Sequence, residues 1–185
     1  LNSTTSLVAG AFLGALTGTF EEIGGLLILV PAAIGLRGNV FSAFGSRLST
    51  ARHLGTLQFT TRSTSVLGRN TTAAMALTLG TSVVLAGIAS LIATATDVVV
   101  PAPVAELALV SVLGGLLASL VVLAAAILLA VGAVRFEWDL DNLVAPVVST
   151  LGDLVTVPSL WLAALAAGHQ YVSSLTSTFA VMVSA

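Results

Sequence analysis

Three stretches of the chain are long, apolar and nearly free of charge. Residues 72–95 and 107–134 carry no ionisable side chain, and residues 143–167 carry one, Asp153. A helix needs roughly 20 mostly apolar residues to cross a bilayer, so each stretch predicts one crossing. The first third of the chain divides less simply. Residues 7–36 are apolar apart from Glu21 and Glu22, too long a run for one crossing, and residues 39–54 continue with small side chains before turning basic. We read Ser3–Leu36 and the segment after it as two helices, with Pro31 near the start of the second. The pattern predicts an all-α integral membrane protein, one domain over residues 1–185 with five transmembrane helices. The tail 168–185 extends the last helix or lies at the interface.

Composition agrees with this pattern and narrows the function. Of 185 residues, 57% are hydrophobic and 8% charged, against about 25% charged in a soluble domain. The mean hydropathy is +1.10. These values exclude a soluble globule and a disordered chain. A net charge of −2 without a basic run argues against nucleic acid as a partner. The absence of Cys excludes disulfides, thiolate metal sites and cysteine nucleophiles. The first positive charge is Arg37, so no basic start precedes the apolar run and no cleavable signal is expected.

Charge asymmetry sets an expected orientation. Arg37, Arg47, Arg52, Arg62 and Arg69 lie between Ile23 and Thr96 with no acid among them; from Asp97 onward there are six acids and only Arg135. The loop 55–71 is therefore expected in the cytoplasm, 97–106 outside and 135–142 inside. Five crossings then put the N-terminus in the cytoplasm and the C-terminus outside a plasma membrane. Trp138 and Trp161 suit interfacial anchoring.

Polar residues inside the apolar runs carry the candidate chemistry. An ionisable side chain at mid-bilayer costs on the order of 2.5–3.5 kcal/mol by insertion scales and usually faces water or a partner. Asn142, Pro146, Ser149, Thr150, Asp153 and Thr156 recur every three or four residues and share one helical face. Gly35, Asn39, Ser42, Ser46 and Ser49 form a second such stripe, and Gly10, Gly14, Thr17 and Glu21 a third. Small-residue stripes also serve helix packing, but packing does not require Asp153. Carboxylate, amide, hydroxyl and carbonyl oxygens suit hard divalent cations. One carboxylate is too little to strip such an ion of water. Two chains about a two-fold axis would bring two Asp153 together, neutralise one ion and leave Asn39 and the hydroxyls to bind its hydration shell.

Two long runs carry a family resemblance. Phe20-Glu21-Glu22-Ile23, Leu29-Val30-Pro31-Ala32-Ala33-Ile34-Gly35-Leu36-Arg37-Gly38-Asn39 and Ser46-Arg47-Leu48-Ser49-Thr50 make up the first. Asp139-Leu140-Asp141-Asn142-Leu143-Val144-Ala145-Pro146-Val147-Val148-Ser149-Thr150-Leu151-Gly152-Asp153-Leu154 is the second. Both resemble the solute-carrier-41 branch of the MgtE magnesium transporters. The resemblance implies a Mg²⁺ channel or transporter, homodimeric or pseudo-dimeric, with a central pore that recognises a hydrated ion. It places the pore carboxylate on Asp153, the Asn of a Gly-Asn motif on Asn39 and a first-helix Glu on Glu22, with Glu21 adjacent. Asn142 and Thr150 sit in the motif around the carboxylate. Gly35, Gly38, Ser42, Ser46, Pro146, Ser149 and Thr156 would line the pore. Leu140 stands where many members have Pro. Animal members carry two such units in one chain and these 185 residues hold one, so a second copy or a homologous subunit is the expected partner. Two other readings stay open: an H⁺- or Na⁺-coupled divalent cation exporter using Glu21 and Glu22, and a non-transporting membrane scaffold subunit.

No enzymatic motif stands. Leu151-Gly152-Asp153 lacks the Gly at 150 that an intramembrane aspartyl protease requires, since Thr150 is there, and no second mid-membrane Asp exists. His53 lies in the Arg-rich segment, where water or lipid phosphate would hold it, and His169 is expected at the interface. Asn70-Thr71-Thr72 matches a glycosylation sequon on the side expected to be cytoplasmic.

Overall fold

The computed structural model describes residues 7–16, 25–60, 62, 64–96 and 102–167. Glu21, Glu22, Thr17, His169 and the tail 168–185 lie outside the described residues, as does the first half of the loop 97–106. The regular elements described are all helices: α1 Leu7–Leu16, α2 Leu26–His53, α3 Val66–Thr96, α4 Val104–Phe136 and α5 Leu140–Ala166. The four long helices have 27 to 33 residues. At about 1.5 Å per residue each exceeds the roughly 30 Å of bilayer hydrocarbon. The chain is an integral membrane protein by length and apolarity of these helices.

Local sequence explains where the helices begin and end. Pro31 is the sixth residue of α2, where its missing N–H costs one bond, to the Leu27 carbonyl. The helix ends at Gly55, whose φ of 67° only glycine adopts without strain. The Gly55 N–H donates to the Arg52 carbonyl and the Thr56 N–H to the Ala51 carbonyl, 3.0 and 2.9 Å, closing the last turn. α3 starts six residues earlier than the apolar run that predicts it. Ser65 caps it by accepting the Gly68 N–H at 3.0 Å, and exposed Arg69 keeps its charge outside the bundle, so it does not interrupt the helix.

α2 and α4 form the centre. α2 packs against α3, α4 and α5, and α4 against α2, α3 and α5; among the described residues α3 and α5 do not meet. Leu13 and Leu16 of α1 pack on the core beside Leu26, Leu29 and Leu107. The core is split along the helices. One apolar cluster includes Leu29, Val30, Leu107, Val110, Val157 and Leu160. The other includes Phe41, Phe44, Leu48, Val122, Ala126 and Val148. Between them along each of the four long helices lies a band of small and polar residues, including Arg37, Thr78, Ser82, Gly115, Ser119 and Asp153. Large apolar side chains such as Leu77, Val84, Leu91, Leu120 and Leu128 face outward, as a lipid-facing surface requires.

Candidate functional site

Asp153 is the fourteenth of 27 residues in α5, so it lies at half the height of the helix. Its side chain is half-buried. Its predecessor, buried Gly152, packs on α2: a Cβ at Gly152 would come 3.9 Å from the Gly38 backbone nitrogen, and one at Gly38 would come 3.9 Å from Ser149 Oγ. The absence of side chains at 38 and 152 therefore lets the two backbones meet. Asn39 follows Gly38 as Asp153 follows Gly152, and Asn39 is exposed. The two motifs predicted from sequence are thus joined at one α2–α5 seam.

Other expected residues extend this seam. Gly35 and Ser46 are exposed, Ser42 half-buried, and Ser46 Oγ donates to the Ser42 carbonyl at 3.1 Å. On α5, Pro146, Ser149 and Thr150 are half-buried and Asn142 is exposed. Asn142 Nδ2 donates to Asp139 Oδ2 at 2.5 Å, which ties it to the α4–α5 turn. Two prolines within α5 lack the N–H groups that would engage the Asn142 and Leu154 carbonyls, adding oxygen acceptors at both ends of the stripe. Thr156 departs from its expected place at a pore surface. It is fully buried, and its hydroxyl donates to the Gly152 carbonyl at 2.6 Å, so it braces the turn that carries Asp153. Ser49 is likewise buried behind the α2 stripe.

Among the described residues no three His, Cys, Asp or Glu side chains converge to hold a metal. The described residues of one chain thus offer a single carboxylate at mid-height with amide, hydroxyl and carbonyl oxygens along the same seam. That set can bind a hydrated cation through its waters and is too sparse to replace them.

Arg37 is where the structure corrects the reading of charge. The asymmetry argument counts it with the loop arginines, but it is the twelfth residue of the 28-residue α2 and is buried. The other four remain grouped: Arg47 Nη1 donates to Asn70 Oδ1 at 3.0 Å, Arg52 Nη1 donates to the Trp138 carbonyl at 2.5 Å, and Arg62 and Arg69 are exposed nearby in sequence. That Arg52 bond ties the last turn of α2 to the α4–α5 connection, so one end of the bundle is basic without Arg37. The signal that could have separated Arg37 is its setting, one charge inside an apolar run from Leu26 to Phe44.

Comparison with known proteins adds lineage to this geometry. Residues 30–163, from the first turns of α2 into the last turn of α5, match the family described as MgtE, divalent cation transporter. Solute carrier family 41 member 3 of Rattus norvegicus is 32% identical over 145 residues, 76% of this chain and 31% of that protein. Its Mus musculus counterpart is 30% identical over 145 residues, 76% of this chain and 29% of the relative. The chain therefore spans less than a third of the length of these relatives. No solved structure matches.

Proposed function

The chain belongs to the MgtE family of divalent cation transporters, and from that premise we propose that it carries hydrated Mg²⁺ across the plasma membrane as one half of a two-fold pore. The observation that carries this reading is the α2–α5 seam: a half-buried Asp153 at mid-height beside exposed Asn39. Left against acyl chains, that seam would bear the cost of a charged group in hydrocarbon, on the order of 2.5–3.5 kcal/mol by insertion scales. Covered by the same seam of a second copy, it becomes a water-filled path with two carboxylates, whose charge of −2 matches one Mg²⁺. Asn39, Ser42, Ser149 and Thr150 then bind the ion's water shell, which Mg²⁺ surrenders reluctantly. Glu21 and Glu22 stay candidate carboxylates for the same ion on sequence alone. The basic end, with Arg47, Arg52, Arg62 and Arg69, faces the cytoplasm. The protein acts in transport, not catalysis.

The chain has no Cys, so single cysteines report pairing cleanly. Asn39→Cys should give an oxidised dimer on a denaturing gel from membranes, whereas a cysteine at lipid-facing Leu128 should give none. A monomer in both cases would remove the two-fold pore.

Purified protein in liposomes should take up Mg²⁺ in response to a Mg²⁺ gradient and a membrane potential. Fluorescent Mg²⁺ indicator trapped inside reads the flux. Uptake driven only by an imposed pH or Na⁺ gradient would instead establish coupled export chemistry. No uptake under any gradient would leave a packing subunit.

A further inference from the structure

The mid-height polar band holds a second feature, on the side of α2 that faces α3 and α4. Arg37 is 5% exposed, and its Nε and Nη1 have no hydrogen-bond partner. Its guanidinium reaches α4 at Gly115, where a Cβ would lie 3.3 Å from Nη2 and 2.7 Å from Ser82 Oγ. A small cavity of about 10 Å³ opens beside it, lined by Arg37, Thr78, Thr81, Ser82 and apolar side chains of α2 and α3. Thr78 Oγ1 accepts a hydrogen bond from buried Ser119 Oγ at 3.2 Å, which leaves the Thr78 proton free to donate. Among the described residues no acidic side chain lines the space. A guanidinium stays protonated in proteins, so a full positive charge sits among the described helices with no counter-charge from them, and two of its donors are unused.

We infer that this cavity is a binding site for one small monovalent anion, of the size and chemistry of chloride. Three considerations select that occupant. The space fits one water-sized body and excludes phosphate or a lipid headgroup. Most polar side chains around it can donate: Arg37 Nε and Nη1, Ser82 and Thr78, whereas Thr81 gives its proton to the Leu77 carbonyl at 2.6 Å. A water could take up some of these donors but would leave the charge uncompensated, whereas a halide accepts several donors at once and cancels the charge. Gly115 leaves the guanidinium its place beside α4, since a Cβ there would force Ser82 Oγ to move and press on Arg37 Nη2.

The test uses the full chain purified in detergent, without reference to transport, so it stands or falls separately from the proposed pore. Thermal unfolding is followed in sodium chloride, sodium bromide and sodium gluconate at equal ionic strength, with ³⁵Cl NMR line broadening as a direct measure of halide exchange. The wild type should unfold several degrees higher in chloride or bromide than in gluconate and should broaden the ³⁵Cl line saturably. Arg37→Met should abolish both effects, and Arg62→Gln, an exposed arginine, should keep them. Ser82→Ala, which retains the arginine, should raise the half-saturating chloride concentration several-fold and keeps the idea testable if Arg37→Met does not fold. Equal midpoints in the three salts with no saturable broadening would overturn the site, as would a chloride effect that survives Arg37→Met.

Discussion

Asp153→Asn should reduce Mg²⁺ uptake by proteoliposomes to the level of protein-free vesicles while the protein still elutes as folded. Asparagine preserves the volume and most of the hydrogen bonding at the half-buried position, so the change removes charge and little else. A dication and a carboxylate about 5 Å apart attract by about 7 kcal/mol at an effective dielectric of about 20, and only about 1.4 kcal/mol is needed for a tenfold change in occupancy. A pair of subunits loses two such attractions, and the remaining seam oxygens carry no formal charge to replace them. Asp153→Glu, which moves the charge by one methylene, should retain part of the flux. The Asn39→Cys cross-link, made in the Asp153→Asn background, checks that pairing persists. Uptake at the wild-type rate with Asn at 153 would end the proposal that this carboxylate meets the ion.

Gly114→Ala should lower the thermal unfolding midpoint, and Gly114→Leu should prevent folding to a single species. A Cβ at 114 would lie 2.9 Å from Leu160 Cα and 2.8 Å from Leu160 Cδ2. The first of these is backbone and cannot turn aside, so α4 and α5 would have to separate at the core position of fully buried Leu160. Overpacking of this kind costs about 1–3 kcal/mol, and in a chain of this size each kcal/mol moves the midpoint by about 2–4 °C. Gly87→Ala is the matched contrast. Nothing lies within 4 Å of a Cβ there, and alanine is favoured over glycine in a helix by up to about 1 kcal/mol, so its midpoint should hold or rise. Equal midpoints for the two alanine variants, followed by size-exclusion stability after heating, would show that the α4–α5 contact is looser than the geometry states.

The spans and the seam were open to sequence reading to different degrees. Runs without charge at 72–95 and 107–134 place α3 and α4 because nothing in water could hold so much apolar surface. Their ends were missed by a few residues, since Arg69, Asn70 and Glu106 sit on helical turns at the interface where charge carries little cost. Spacing also put Thr156 on the face of Asp153, correctly as a matter of angle. Its burial depends on which neighbour covers that part of α5, and spacing carries no information about neighbours.

Arg37 shows the same limit from the other side. In the chain it is one of five arginines between Ile23 and Thr96, inside the motif that ends in Asn39. Rotation about α2 sends it toward Thr78, Ser82 and Gly115 and leaves Asn39 on the outer surface. Two residues apart in sequence are roughly 200° apart around a helix, so neighbouring letters serve opposite faces.

By itself the sequence determined that this chain lives in a bilayer as helices, and which oxygen-bearing residues fall on common helical faces. Those properties follow from composition and a fixed periodicity, which are local. The tertiary structure alone decided that Gly38 meets Gly152, that α2 and α4 form the centre, and that one arginine is enclosed. These depend on how far two backbones can approach and on which side chains are absent at the crossing point, quantities that exist only once distant segments are packed together.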